Sequence, residues 1–238
     1  MGMTDEKQRQ KPTRDLPGKS ARKHHWWRWI LASVVVLLVA GGYGAVASMA
    51  GPTTPALTLT PLSATRAAAG GSPIDGAWIV GKGSLAGYRV PEDFLWQHGT
   101  LVARTSAVTG TFVIAGNEVS SADLRVDLRK LTANGKELPT LAGILGTATH
   151  PDASFTLTKP IVLGSEPTPN KIFTARATGL LAIHGTTRSV TFAVTGRHSG
   201  SELEATGSIP VVFSDWNIKP PFAVQKQGDL EFLLVLHP

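Results

Sequence analysis

No residue from Trp29 to Thr65 carries a charge, and the first half of that stretch, WILASVVVLLVAGGYGAVASMA (Trp29–Ala50), is apolar throughout. A run of this length crosses a bilayer as one helix, so it divides the chain into two pieces that cannot share a core. Before it lie Lys7, Arg9, Lys11, Arg14, Lys19, Arg22, Lys23 and Arg28, against Asp5, Glu6 and Asp15. Positive charge beside a span stays on the cytoplasmic side. The expectation is therefore a single-pass protein of the plasma (inner) membrane, N-terminus in, with everything after the span outside. Trp26, Trp27 and Trp29 stand where an interfacial aromatic belt belongs. A cleavable signal peptide is the competing reading. Ser48-Met49-Ala50 has a small-x-small cleavage pattern, and Ile30–Ala40 has the length of a signal core. That reading gives a secreted protein with the same external domain.

The formal charge of +6 belongs to topology, not to a nucleic-acid partner. Residues 1–28 carry +5 of it and the remainder of the chain only +1. The basic segment suits anionic headgroups, and no nucleic-acid groove is expected in the external domain. The 238 residues contain no cysteine. An exported domain without disulfides must be held by its own core, and thiol catalysis and Cys-ligated metal are excluded.

Four segments follow from composition. Residues 1–25 read as a disordered basic cytoplasmic tail, 26–50 as a transmembrane helix acting as signal anchor, 51–75 as a flexible linker, and 76–238 as one β domain. Within the linker, Leu57–Leu62 alone has enough apolar content to belong to the domain instead.

From Ile74 onward the pattern is period two. In SADLRVDL (Ser121–Leu128), Leu124, Val126 and Leu128 alternate with Asp123, Arg125 and Asp127, which gives one buried and one wet face. Further strands are expected at Trp78–Gly81 with Ser84–Val90, Ser106–Ala115, Ala153–Thr158, Ile172–Ile183, Ser189–Arg197, Leu203–Phe213 and Asp229–Leu236. Gly116-Asn117, His184-Gly185-Thr186-Thr187 and Ser199-Gly200-Ser201 carry turn chemistry, and the last two sit at hairpin distance. One segment, Thr132–Thr149, reads as one or two short helices capped at Thr132 or Asn134. About eight strands with a short helical insertion suit an all-β, closed or nearly closed antiparallel barrel, with a two-sheet sandwich as the alternative.

Several of these segments, in their order of occurrence, resemble the YceI-like family, the lipocalin-like polyisoprenoid-binding domain. TGLLAIHGTTRSVTFAV (Thr178–Val194) is similar to that family's hairpin. LGTATHPDASFTLTKPI (Leu145–Ile161) is similar to its helix-to-strand passage, and TGTFVIAGNEVSSADLRVDLRKL (Thr109–Leu131) to its Gly-x-Phe strand and the amphipathic strand that follows. VVFSDWNIKPP and DLEFLLVLHP resemble its last loop and closing strand. The Arg-Asp pair usual in the helical insertion is absent, Ala133–Leu138 standing in its place. The first strand keeps only Ser84 and Tyr88 of its usual phrase. The resemblance implies a lipocalin-like barrel whose lumen takes a long isoprenoid tail. Such a tail makes no hydrogen bonds, so its affinity must come from buried apolar area at about 25 cal/mol per Å².

Alternation then nominates the lumen: Leu124, Val126, Phe155, Leu157, Phe173, Leu181, Phe192, Val194, Val211, Phe213, Phe232 and Leu234. The plain alternative is that these side chains fill a dry core. Small inward residues, among them Ala175, Ala177, Gly179, Ala205 and Gly207, point to a void that something occupies. Trp78, Trp96 and Trp216 suit either a barrel mouth or the core. His98, His150, His184, His198 and His237 show no metal-ligand spacing, and Ser84 lies in neither a nucleophile elbow nor a phosphate loop. No catalytic residue, metal site or cofactor is expected. The chain reads as a membrane-anchored, extracytoplasmic binding protein for a polyisoprenoid or similar long-chain lipid. A ligand-free interaction module at the cell surface is the alternative, and an enzyme acting on a lipid inside the barrel would need polar groups in the lumen.

Overall fold

Two-residue turns set the topology of this domain. At Gly116-Asn117 both residues have positive φ (56° and 66°), as have His184 and Gly185 (50° and 72°). These are the geometries that match the twist of a tight hairpin. The computed structural model describes residues 54–63, 73–94, 97–137, 139–164 and 167–238. The expected cytoplasmic tail and membrane span lie outside the described residues, as does Trp96. Among the described residues no helix is long and apolar enough to cross a membrane.

The strands are β1 (Gly76–Val80), β2 (Leu85–Phe94), β3 (Gln97–Thr105), β4 (Val108–Ala115) and β5 (Glu118–Asp127). After them come the two-residue β6 (Thr132–Ala133) and β7 (Lys136–Glu137), a short helix α1 (Pro139–Ile144), β8 (Asp152–Lys159) and β9 (Ile161–Val162). The chain ends with β10 (Ile172–Ile183), β11 (Thr186–Ser199), β12 (Glu202–Val212) and β13 (Gln227–His237). All pairings are antiparallel. The order β1-β4-β5-β8-β10-β11-β12-β13 closes on itself where Val80 pairs with Leu236 and Ile79 with His237. The result is a closed eight-stranded barrel, lipocalin-like, which rules out the two-sheet sandwich. β1 and β2 behave as one long strand along β13, interrupted by a turn at which the Ser84 hydroxyl accepts from the Val235 N–H at 2.9 Å. β3 and β4 lie along the other edge of that strand.

β3 had no clear sequence signal, since QHGTLVART begins without alternation. The helical insertion is smaller than the pattern of Thr132–Thr149 predicts. Thr132 and Asn134 are not caps: β6 and β7 form a miniature hairpin around Asn134-Gly135, both at positive φ. The helix starts only at Pro139, where a proline costs nothing because the first-turn N–H has no intrahelical partner.

Residues 54–63 depart from a flexible linker. They form a strap across the outer face of five adjacent strands, β3, β2, β13, β12 and β11. Arg89 Nη2 donates to the Thr54 carbonyl at 2.6 Å, and Arg104 to that of Pro55. The Leu57 N–H donates to Glu231 Oε2 at 3.3 Å, and its carbonyl accepts from Thr206 Oγ1 at 3.0 Å. Arg197 donates to the Thr60 carbonyl. Beneath the strap, Glu231 bridges Arg104 (2.7 Å) and Arg89 (3.5 Å), and Glu204 pairs with Arg197. Pro and Thr make this segment extended, so its unpaired carbonyls are free to accept from guanidiniums, while Leu57, Leu59 and Leu62 are half-buried. On the opposite wall, Asp123, Arg125 and Asp127 form the expected outward ladder. Arg125 pairs with Asp152 at 2.8 Å, and Asp127 with Arg129 at 2.9 Å.

Candidate functional site: the barrel interior

The inward faces meet in one apolar cluster. Of the twelve residues nominated from alternation, Leu124, Val126, Phe155, Leu157, Leu181, Phe192, Val194, Val211, Phe213, Phe232 and Leu234 belong to it. Phe173 does not; its ring lies against Gly196 of β11, where a Cβ would stand 2.8 Å from Cε2. Strand alternation explains why the other eleven meet there, because in a closed barrel every second residue points inward.

Glycines in this wall do not leave the voids that their size suggests. A Cβ on Gly179 would stand 2.5 Å from Phe155 Cε2, and one on Gly207 would stand 2.7 Å from Phe232 Cζ. Each ring covers the glycine of the neighbouring strand. Phe155, Phe192 and Phe232 then form a row of edge-to-face contacts, with centroids 5.4 and 5.8 Å apart. Part of the lumen is thus filled by its own aromatics.

The two ends differ. At one, Trp78 is buried, donates to the Ile74 carbonyl at 2.8 Å, and meets the His198 ring edge-on at 6.1 Å. His198 is only 1 % exposed and faces inward; burial lowers its pKa, so the imidazole is neutral at pH 7. At the other end, the turn Phe213–Trp216 brings Trp216 over the barrel, its Nε1 donating to the Leu181 carbonyl at 3.4 Å. Nδ1 of His184 lies 3.2 Å from the Trp216 carbonyl oxygen, and its ring packs on His150 at 5.6 Å.

Near this second end the wall parts. β11 and β12 pair only from Val194 to Ser199 and from Glu202 to Gly207. Beyond that they separate into a cleft of about 530 Å³ lined by Arg188, Val190, Ile209, Pro210, Asp215 and Trp216 among others. Pro210 fits here because a strand edge facing a gap needs no N–H donor. Val190, Ile209 and Trp216 also belong to the interior cluster, so the cleft reaches the core from the side.

Alternation also passed over a buried polar pair. Tyr88, Val90 and Glu92 share the inward face of β2, and Tyr88 and Val90 form a second cluster with Ala103, Leu131 and Ala133, against which Leu141 of α1, Phe213 and Val224 pack. Tyr88 and Glu92 are each 8 % exposed. Burial pushes the Glu92 carboxyl above the usual carboxylate range; burial, and then the nearby Glu92, push the Tyr88 phenol up. The signal was present in GYRVPED, but Pro91 makes the run look as if it ends at Val90.

Residues 81–236 match the YceI-like domain. No curated protein matches the sequence. Among solved structures, a polyisoprenoid-binding domain from Saccharophagus degradans superposes with a TM-score of 0.55 at 14% identity, over 68% of this chain and 97% of that one. Burkholderia cenocepacia BcnA gives 0.50 at 18% identity, over 64% and 95%. The Campylobacter jejuni YCEI protein gives 0.50 at 11%, over 62% and 90%. At these identities the likeness is one of fold.

Proposed function

Because the chain belongs to the YceI-like domain family, we propose that its barrel takes up a polyisoprenoid or similar long-chain lipid and holds the tail in its interior. The observation that carries this reading is the apolar cluster of inward residues, continuous from Trp78 to Trp216 and reached from the side between β11 and β12. Binding is by sequestration: the tail gains from desolvation, and the protein performs no turnover. In keeping with the charge asymmetry around Trp29–Ala50, the barrel is held outside the cytoplasmic membrane by an N-terminal anchor. There it passes such a lipid to or from a membrane partner.

The rings over Gly179 and Gly207 favour a second reading, an interior filled by its own side chains and a barrel that binds a partner through its outer surface. Mass spectrometry of an organic extract of the purified protein separates the two. A stoichiometric isoprenoid lipid supports the carrier. A clean extract that stays clean after incubation with polyprenols refutes it and leaves the interaction module.

A further inference from the structure

Phe222 is 94 % exposed, more than any other large apolar side chain among the described residues, of which the next is Ile172 at 64 %. The backbone beneath it is fixed. The Val224 N–H donates to the Pro221 carbonyl at 3.1 Å, which makes Pro221–Val224 a tight turn with Phe222 at its first corner. That turn is the tip of a loop closed at its base, where the Phe213 N–H donates to the Lys226 carbonyl at 3.0 Å and Trp216 and Ile218 are buried in the interior cluster. The tip is also bonded to β2. The Asp93 N–H donates to the Ala223 carbonyl at 2.9 Å, the Gln225 N–H to the Pro91 carbonyl at 3.0 Å, and the Gln225 side chain to the Asp93 carboxylate. A backbone so held cannot carry the ring back to the barrel, so its apolar surface stays in water unless something outside covers it. Pro221 beside it is exposed, and so is Val212 just before the loop. Lys219 and Lys226 flank the tip, both exposed, and neither makes an ion pair among the described residues.

We propose that this turn is where the barrel meets an anionic bilayer, with Phe222 in the headgroup layer and Lys219 and Lys226 facing lipid phosphates. A ring between basic side chains fits a bilayer interface, which is apolar below and negatively charged at its surface. The inference rests on the anchored reading above and adds which end of the barrel faces the membrane. Chain lengths agree with it. Arg89 of β2 holds the Thr54 carbonyl, and Thr54 follows Ala50 by four residues, which reach at most about 14 Å. From Arg89 to the end of β2 at Phe94 the strand covers a similar distance, about 17 Å. β2 can therefore point its loop end at the bilayer that the apolar run is expected to cross. The residues that join β2 to β3 in the sequence, Leu95 and Trp96, are apolar as well. The cleft between β11 and β12 takes Asp215 and Trp216 from the same loop. It opens at this end, and a lipid tail passes from bilayer to barrel without crossing bulk water.

The chain has no cysteine, so Pro221→Cys and Ser201→Cys each provide one site for an environment-sensitive fluorophore. The first stands beside Phe222 and the second at the β11–β12 turn, at the other end of the barrel. The labelled full chains are reconstituted into phosphatidylcholine–phosphatidylglycerol vesicles, with or without doxyl-labelled phosphatidylcholine, and with iodide on both sides of the membrane. The label at 221 is expected to be quenched by the doxyl lipid and to be at least about threefold less accessible to iodide than the label at 201. Adding Phe222→Asp is expected to return it to water. Equal iodide quenching of the two labels, or doxyl quenching of both, overturns the docking turn. Doxyl quenching at 221 that survives Phe222→Asp overturns it too. So does protection at 221 without doxyl quenching, which gives the ring to a second copy of the chain. All of these outcomes leave the anchored reading standing. A chain that does not float with the vesicles overturns that reading, and the docking turn with it.

Discussion

Gly179→Ala is the substitution on which the packing of the interior can be judged. Gly179 does not have positive φ, so its backbone accepts an alanine without strain. At such a position the change ordinarily stabilises by about 0.4–1 kcal/mol, through the lower entropy of the unfolded chain. Here the new Cβ would stand 2.5 Å from both Phe155 Cε2 and the Thr156 carbonyl oxygen, about 0.9 Å inside ordinary contact. The ring could rotate only by disturbing its edge-to-face contact with Phe192, and the carbonyl belongs to the paired backbone of β8. Overpacking of this kind costs about 1–3 kcal/mol, so the net expectation is a loss of about 1–2 kcal/mol, or roughly 3–6 °C in Tm. Phe155→Leu in the Gly179→Ala background removes the obstructing ring atoms, and the two effects should couple by at least about 1 kcal/mol. Urea unfolding of the four proteins, followed through the buried Trp78 and Trp216, gives each term. A stabilising Gly179→Ala, or two effects that add within about 0.5 kcal/mol, would show that Phe155 does not cover that glycine.

Two further outcomes concern the outer strap and the Trp78–His198 end of the barrel. Arg104 holds the strap at Pro55 and is itself held by Glu231. Charged hydrogen bonds of this kind contribute about 1.5–3 kcal/mol, so Arg104→Ala should speed thermolysin cleavage at Leu57 and Leu59 at least about tenfold; an unchanged rate means that the guanidinium does not hold the strap. For His198, the unfolded imidazole takes up its proton near pH 6.5 and the buried one only at lower pH. Between those values the unfolded state binds more protons, so stability should fall as pH drops below about 6.5. Urea midpoints between pH 7.5 and 5.5 should show this slope, and His198→Leu should flatten it; equal slopes in both proteins would refute a buried neutral His198.

Much of this barrel is written in its alternation. Leu124-x-Val126, Phe155-x-Leu157 and Phe232-x-Leu234 each name their inward face because a strand's side chains have period two, whatever the partner strand is. The turns at Gly116-Asn117 and His184-Gly185 are equally local, since their positive φ angles call for those residue types. Closure was not local. It depends on Val80 meeting Leu236 across the length of the domain, and alternation within β1 or β13 carries no information about that pairing. The same holds for the glycines, whose small size reads as empty space until Phe155 and Phe232 arrive from neighbouring strands. It holds again for Leu57 and Thr60, which look like linker because the guanidiniums that bind the strap come from β2, β3 and β11. Tyr88 and Glu92 lie between these cases: their shared face follows from spacing, but only the tertiary structure buries them. A period is a property of one strand, whereas burial and pairing are properties of everything the closed sheet brings against it.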